Sequence, residues 1–264
     1  MGLWSKGVRR SKTGEPRLED INNADTDVRM QFLIAKAAST DGDTDTFLVD
    51  NLWDYLHLID DINDDEKVIP IYRGQADTGF KLIPKIGRKP LKSKSVETDV
   101  FLEFKRNYRR YYNQVLTKDM DILMLGQHYG LPTRLLDWTT NPLVALYFAC
   151  SEKNETDGVV YLKGLKSDNR YIDEKRDVSP FDYKDNQFIL PEVFDVRFAN
   201  QNGLFELFAD PTVESNRDIK AKIIIKGSSK ETIIDQLSVI KMALIELFPT
   251  LDNQCKSIEL SYIP

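Results

Sequence analysis

The sequence is poor in the residues that most often hold metals, with two cysteines and two histidines in 264 residues. Cys150 and Cys255 lie too far apart in the chain for a C-x-x-C metal motif, and two cysteines make no disulfide framework. No second histidine or cysteine lies one helical turn from His57, so we expect no metal. Glycine-rich phosphate loops and the H-E-x-x-H and G-x-S-x-G motifs are also missing.

Long apolar runs are missing too. No stretch approaches the ~20 apolar residues of a membrane helix, and residues 1–19 lack the apolar core of a secretory signal. The composition, 41% hydrophobic and 30% charged, is ordinary for a globular protein. We therefore predict a cytoplasmic protein with no membrane partner.

The net charge of −6 is unevenly distributed along the chain. Residues 81–118 contain eleven Lys or Arg and three acids, a balance of +8, so the rest of the chain carries −14. Such a block indicates an anionic partner bound at one face, or else a solvated helix face with no partner.

Short strands and early helices without regular β–α alternation favour an α+β fold over a doubly wound sheet. We predict a flexible arm at 1–27, an N-terminal helical region at 28–66 and a main domain at 67–264. The predicted helices are 28–39, 43–63, 96–116, 119–129, 142–149, one from a Ser228–Glu231 capping box through Met242, and one beginning at 248–252. The predicted strands are 68–75, 133–139, 158–163, 188–190, 193–198, 204–208 and 221–226.

The helix predicted at 96–116 is amphipathic, with an apolar stripe that includes Tyr111 and Val115. Its opposite face is basic and has an aromatic residue at the border. Basic residues beside an aromatic ring can hold a nucleic-acid backbone and stack a base. The predicted nucleic-acid-binding residues are Lys105, Arg106, Arg109, Arg110 and Tyr112.

Residues 127–149 combine many hydrogen-bonding side chains with a following apolar helix. The polar side chains are His128, Thr133, Arg134, Asp137, Trp138 and Thr139. Such a segment either lines a site or forms a buried polar hub. In the second case Arg134 pairs with Asp137, or Asp137 caps the helix that follows.

Other polar residues lie at predicted strand ends. They are Arg73 and Gln75 on one strand, and Arg197, Gln201 and Glu206 later in the chain. An arginine at a strand end suits a bidentate grip on phosphate or carboxylate. The alternative for Gln201 is that its side chain satisfies turn backbone.

These segments, in this order, resemble the FRG-domain family. The resemblance covers about residues 68–260, with Tyr72 where the family's name implies Phe. Its motifs are YRGQ at 72–75, KLIP at 81–84, QHYGLPTRLLDWT at 127–139, ALYFA at 145–149, RFANQNGLF at 197–205 and LFPTLD at 247–252.

FRG domains resemble the ADP-ribosyltransferase superfamily, which implies two small antiparallel sheets around an NAD cleft. The resemblance implies NAD as co-substrate, held by Tyr72, Arg73, Gly74, Gln75, Arg134, Trp138 and Thr139. The implied catalytic residues are Asp137, Gln201, Glu206 and His128. No Glu-x-Glu or Gln-x-Glu pair is present, so the choice between Gln201 and Glu206 stays open.

The resemblance implies an NAD-dependent ADP-ribosyltransferase, of the bacterial toxin or anti-phage type, with a cognate antitoxin as a further partner. The basic block favours a nucleic acid, RNA first, over a protein as acceptor. Two alternatives remain open at this point: a non-catalytic module that binds a nucleotide or nucleic acid, and an NAD glycohydrolase that uses water as acceptor.

Overall fold

The computed structural model describes residues 44–63, 68–90, 93, 95–152, 155–166, 178–191 and 196–262. The strands are β1 Asp45–Val49, β2 Val68–Gln75, β3 Leu135–Thr139, β4 Gly158–Lys166, β5 Gln187–Ile189, β6 Gly203–Leu207 and β7 Ile219–Ile225. The α-helices are α1 Leu52–Ile62, α2 Val96–Asn107, α3 Asp119–His128, α4 Pro142–Cys150, α5 Val196–Gln201, α6 Lys230–Val239, α7 Leu244–Leu247 and α8 Leu251–Tyr262. Single 3-10 turns occur at Lys85–Arg88, Tyr108–Arg110 and Gly227–Ser229.

The seven described strands form one mixed sheet in the order β1-β7-β4-β2-β3-β6-β5. Only β1 and β7 run parallel. The predicted α+β class is confirmed, whereas the predicted pair of separate sheets is wrong. The two parts of the sheet nevertheless meet at a single residue pair, Tyr72 with Thr139, while β2 and β4 pair along eight residues. From Arg73 onward β2 has no ladder partner on its β3 side, and the sheet is split there.

Three apolar clusters hold the sheet. Helices α1, α4 and α6 cover one face of the β1-β7-β4-β2 part, and α2 and α3 cover the same face of the β3-β6-β5 part. The third cluster lies on the opposite face, around Trp138 and Tyr161. Since α4 is apolar all round, it lies buried against the middle of the sheet, as such helices do.

The helix predicted at 43–63 begins later than expected. Residues Asp45–Val49 form strand β1, in which burial alternates and Phe47 pairs with Ile223 of β7. The Asn51 side chain accepts a hydrogen bond from the Asp54 backbone and starts α1 after this strand. A short apolar run is compatible with either a strand or a helix. Here the pairing with β7 makes residues Asp45–Val49 a strand.

Three further element predictions need correction. Residues Val196–Gln201 are a helix, where a strand was predicted over 193–198. Helix α2 ends at Asn107, so Tyr111 and Val115 are exposed rather than on an apolar stripe. Helix α6 begins at Lys230 after Ser229, without the side-chain cap predicted at Ser228.

The predicted arm at 1–27 and the helix at 28–39 lie outside the described residues, so the division into domains stays a prediction. Strand β1 and helix α1, from the region assigned to the N-terminal helices, pack into the same core as the main domain. No helix in the described ranges is both long and apolar enough to cross a membrane.

The two cysteines differ sharply in environment. Cys150 is 2% exposed at the end of α4, and burial raises the pKa of its thiol to about 12 although nearby Lys230 opposes the shift. Cys255 is exposed on α8. Only a thiolate reacts readily, so we expect Cys255 alone to react with an aromatic disulfide reagent at pH 8.

A Cys255→Ser variant is expected to show no fast-reacting thiol until the chain is denatured. Equal reaction rates of both thiols in the native wild type would contradict this prediction. Because the folded-state pKa of Cys150 is raised above its ordinary 9.0, the stability it contributes is present below pH 9 and is lost as the pH rises through about 12.

Candidate active site

A cavity of about 240 Å³, here called the split cavity, lies where β2 and β3 part. Its walls come from β2, the end of α3, strand β3, helix α4 and the α5–β6 turn. The sequence-predicted residues that line it are Tyr72, Arg73, Gly74, His128, Asp137, Trp138, Thr139 and Gln201. The split in the sheet thus brings together three segments that are distant in sequence.

Arg73 lies in the gap between the two strands. Its Nη1 donates to the backbone oxygen of Asp137 at 2.6 Å and lies 3.9 Å from the Asp137 carboxylate. Its Nε is buried and has no hydrogen-bond partner. Burial lowers the pKa of Arg73 while Asp137 opposes the shift, and the guanidinium stays charged in proteins. A buried cation with an unused donor is suited to an anionic ligand.

Asp137 presents its carboxylate to the cavity with 61% of the side chain exposed. Gln127 donates from Nε2 to Asp137 Oδ2 at 3.1 Å. Gln127 is itself fixed, since its Oε1 accepts from Thr133 Oγ1 at 2.6 Å. Gln127 was assigned no role from the sequence, although it opens the QHYGLPTR motif. The chain Thr133–Gln127–Asp137 therefore orients a solvent-facing carboxylate.

Thr139 and Gln201 build the wall opposite Arg73. Thr139 Oγ1 donates to the backbone oxygen of Gln201 at 2.6 Å, and the Gln201 amide donates to the Leu247 backbone oxygen at 3.0 Å. Asn141, whose side chain accepts from the Leu143 backbone, caps α4. Asp137 is therefore not the cap of that helix.

His128, Tyr72 and Gly74 complete the cavity. His128 lies edge-on to Tyr129, with ring centroids 5.0 Å apart. Tyr72 is 1% exposed and its hydroxyl accepts from Asn63 at 2.6 Å, so it is a core residue at the cavity floor. A Cβ on Gly74 would lie 1.8 Å from the Ala145 backbone oxygen. Only glycine lets β2 pack this closely on α4.

Glu206 lies on the opposite face of the sheet from Asp137. In the β3–β6 ladder Asp137 pairs with Phe205, and Glu206 pairs with Leu136, so their side chains point to opposite faces. Glu206 is 2% exposed and accepts hydrogen bonds from Lys163 (3.3 Å), Ser215 (2.5 Å) and the Trp138 indole (3.0 Å). The implied grouping of Glu206 with Asp137 is therefore not formed, although the negative charge of Glu206 partly opposes the lowering of the Arg73 pKa by burial.

Arg134 lies outside the split cavity. Its Nε and Nη2 donate to the two carboxylate oxygens of Glu97 at 2.7 and 2.6 Å, with both side chains buried. Its Nη1 also donates to the Phe208 backbone oxygen at 3.2 Å. Arg134 therefore ties α2 to β3 and β6. The pair proposed from sequence between Arg134 and Asp137 does not exist.

Gln75 lines a neighbouring cleft of about 540 Å³, here called the second cleft. The second cleft and the split cavity share Arg73, Gly74 and Phe148 as lining residues. Gln75 is 6% exposed, and its Oε1 has no hydrogen-bond partner. The cleft is also lined by Phe80, Lys81 and Arg88, to which no site role was assigned from the sequence.

The basic residues of α2 are partly engaged within the protein. Lys105 pairs with Asp119 at 2.5 Å, and Arg106 with Glu103 at 3.3 Å. Arg109 and Arg110 are exposed in the 3-10 turn after α2, while Tyr112 is half-buried. The neighbouring Tyr111 is 87% exposed and is the more accessible ring.

Within the described part of the chain no group of three or more His, Cys, Asp or Glu side chains could hold a metal ion. That the site binds no metal therefore stays a prediction.

Comparison with known proteins gives one family and no individual relative. No curated protein and no solved structure matches the chain. The motifs at 72–75, 127–139 and 145–149 contribute residues to the split cavity, and the motif at 81–84 contributes residues to the second cleft. All four motifs lie within one matched region. Residues 69–158 match the family model of the FRG domain, which supports this part of the resemblance predicted over residues 68–260.

Proposed function

We propose that the protein is an NAD-dependent ADP-ribosyltransferase of the bacterial toxin or anti-phage type. The observation that carries the proposal is the convergence of Arg73, Asp137, Thr139 and Gln201 on the split cavity. Arg73 has an unpaired donor that can bind a phosphate. The solvent-facing carboxylate of Asp137 beside it can stabilise positive charge that develops on the substrate. The two groups are held by opposite edges of the split.

The orphaned Nε of Arg73 supports binding of a dinucleotide, because it leaves a buried donor for a phosphate oxygen. The split cavity, which Tyr72, Thr139 and Phe205 help to line, has the mixed apolar and polar walls that suit a flat amide ring and a ribose. NAD supplies a glycosidic bond whose cleavage leaves positive charge on the ribose, as in glycoside hydrolysis.

Asp137 is the residue best placed to act on that charge. Its carboxylate faces the cavity, and Gln127 fixes its orientation at 3.1 Å. A fixed negative group near the reacting sugar stabilises the transition state without reorganising. The same carboxylate can accept the proton of an attacking hydroxyl. The backbone oxygen of Gln201 accepts a hydrogen bond from Thr139 and so positions this side chain. His128 also lines the cavity and is the second candidate base.

A nucleic acid, RNA first, is the acceptor that the charge distribution favours. Arg109 and Arg110 are exposed beside Tyr111, which gives two cations and a stacking ring on one surface. A cognate antitoxin that covers the cavity belongs to the same proposal, since an active transferase of this type must be restrained in its own cell.

Two rivals remain alongside this proposal. A non-catalytic nucleotide-binding module is favoured by the commitment of Glu206 to a buried network, which leaves Asp137 as the only carboxylate among the residues that line the cavity. A glycohydrolase is favoured by the exposure of Asp137, because water can reach it.

We expect Asp137→Asn to lower the transfer of ADP-ribose to RNA by about 100-fold, since it removes the charge but keeps the shape. The measurement is incorporation of label from NAD into RNA, DNA and protein fractions of a cell extract. Asp185→Asn changes an exposed aspartate that does not line the split cavity, and this matched control should match the wild type.

The outcomes separate the three functions. Label in RNA that depends on Asp137 supports the proposal. Free ADP-ribose without labelled acceptor favours the glycohydrolase. Binding of NAD without any product favours the binding module.

A further inference from the structure

The second cleft is lined by more positively charged side chains than the split cavity is. Arg73, Lys81 and Arg88 line it, against the single carboxylate of Glu152. Lys81 and Arg88 are exposed to solvent at its mouth. Burial lowers the pKa of Arg73, Asp137 opposes that shift, and the positive charge of Arg88 adds to it. Since Asp137 already opposes the charge of Arg73, the excess positive charge for a phosphate comes from Lys81 and Arg88.

Two buried polar atoms in this cleft have no partner in the protein. They are the donor Nε of Arg73 and the acceptor Oε1 of Gln75. The orientation of the Gln75 amide is set by its Nε2, which donates to the Lys81 backbone oxygen at 3.4 Å. Buried polar atoms without partners are rare, and an absent ligand is one of their few explanations.

The cleft also offers an aromatic ring. Phe80 is 42% exposed and lines the cleft beside Lys81. A base can stack on an exposed ring whatever its sequence identity, and such stacking is worth about 1–3 kcal/mol for each base in nucleic-acid complexes. The volume of about 540 Å³ is in the range of small-ligand sites, whereas the split cavity, at about 240 Å³, lies below it.

We infer that the second cleft is a nucleoside-phosphate site. The phosphate lies between Lys81 and Arg88 next to Arg73 Nε. The Gln75 oxygen accepts a hydrogen bond from a hydroxyl or amino group of the nucleoside, and the base packs on Phe80. The choice of a nucleoside rests on the proposed function, but the binding of its phosphate needs no transfer chemistry.

Two sources can supply this ligand chemistry. Because the two cavities share Arg73, Gly74 and Phe148, a dinucleotide can pass from one to the other, with its adenylate half in the second cleft. Alternatively, the cleft holds one nucleotide of an acceptor nucleic acid while the nicotinamide and ribose of the dinucleotide lie in the split cavity.

Calorimetry with AMP and adenosine tests the inference. We expect AMP to bind at least about tenfold more tightly than adenosine, because only AMP carries the phosphate. Arg88→Gln and Lys81→Gln should each abolish that preference. Lys89→Gln removes a neighbouring exposed lysine that does not line the cleft, and it should keep the preference.

A second titration, with NAD at saturation, identifies the source. If NAD blocks AMP, the site holds the adenylate half of the dinucleotide. If both bind together, it holds a nucleotide of the acceptor. Equal affinity for AMP and adenosine, or a preference that survives both Arg88→Gln and Lys81→Gln, would overturn the inference. Phosphate-dependent binding by a protein that never cleaves NAD would overturn the proposed function alone.

Discussion

Replacement of Arg73 by lysine is expected to lower the rate of ADP-ribose transfer by at least about 100-fold. Lysine keeps the positive charge but loses the planar set of donors. In the native site one of these donors reaches the Asp137 backbone oxygen at 2.6 Å and another, Nε, has no protein partner. The lysine ammonium cannot serve both positions at once. The measurement is kcat/KM for NAD, with labelled RNA as the readout.

The fold of the Arg73→Lys protein is expected to stay intact, because Arg73 makes no buried ion pair. Its melting midpoint should lie within about 5 °C of the wild type. Arg217→Lys changes an exposed arginine that does not line the split cavity, and this matched control should retain the full rate. An Arg73→Lys rate within threefold of the wild type would show that the guanidinium has no part in transfer.

Replacement of Glu206 by alanine is expected to lower the free energy of unfolding by about 3–5 kcal/mol. Glu206 is the common acceptor for Lys163, Ser215 and the Trp138 indole, and Lys163 is itself 3% exposed. Its removal takes away the carboxylate that is paired with the buried Lys163 ammonium, and the charge of Asp218 still acts on that group. Burial already lowers the pKa of Lys163 while Glu206 opposes the shift. The melting midpoint should fall by roughly 6–20 °C.

Two further variants serve as controls for the effect of Glu206→Ala on stability. Glu103→Ala breaks an ion pair whose side chains are about 70% exposed, and it should change stability by less than about 1 kcal/mol. Glu206→Gln keeps the shape of the side chain and is expected to retain transfer at temperatures where the protein is folded. If Glu206→Gln folds normally but is inactive, Glu206 is catalytic after all and its assignment to a structural network is wrong.

Local sequence signals predicted the elements of the central segment well. The Val/Ile run and the closing Gly-Gln fixed β2 at the bounds it has, Val68–Gln75. The Asn141-Pro142 pair marked the start of α4 correctly. Strand β2 and the start of α4 each depend on interactions within a few residues, and such local patterns can be read directly from a sequence.

Interactions across long sequence distances were not predictable in the same way. The partner of Arg134 proved to be Glu97, 37 residues away, and not the nearby Asp137. The orientation of Glu206 depends on the β3–β6 register, and a shift by one residue would have turned it toward Asp137. Strand β1 needed β7, which lies more than 170 residues later.

The candidate site was predicted in part because its motifs lie at strand ends. The Arg73, Asp137 and Gln201 segments do meet at one cavity. Gln127, Lys81 and Arg88 were assigned no site role, although Gln127 and Lys81 open two of the motifs that resemble the FRG family. The fold places Gln127 at the split cavity and Lys81 and Arg88 at the second cleft.

We propose that NAD is cleaved in the split cavity. The most direct measurement is release of nicotinamide from NAD by the purified protein with an RNA acceptor, followed by chromatography. The account predicts nicotinamide release that accompanies labelling of the RNA and that falls by at least about 100-fold in Arg73→Lys. Release no faster than in buffer, or equal release by the wild type and Arg73→Lys, would contradict it.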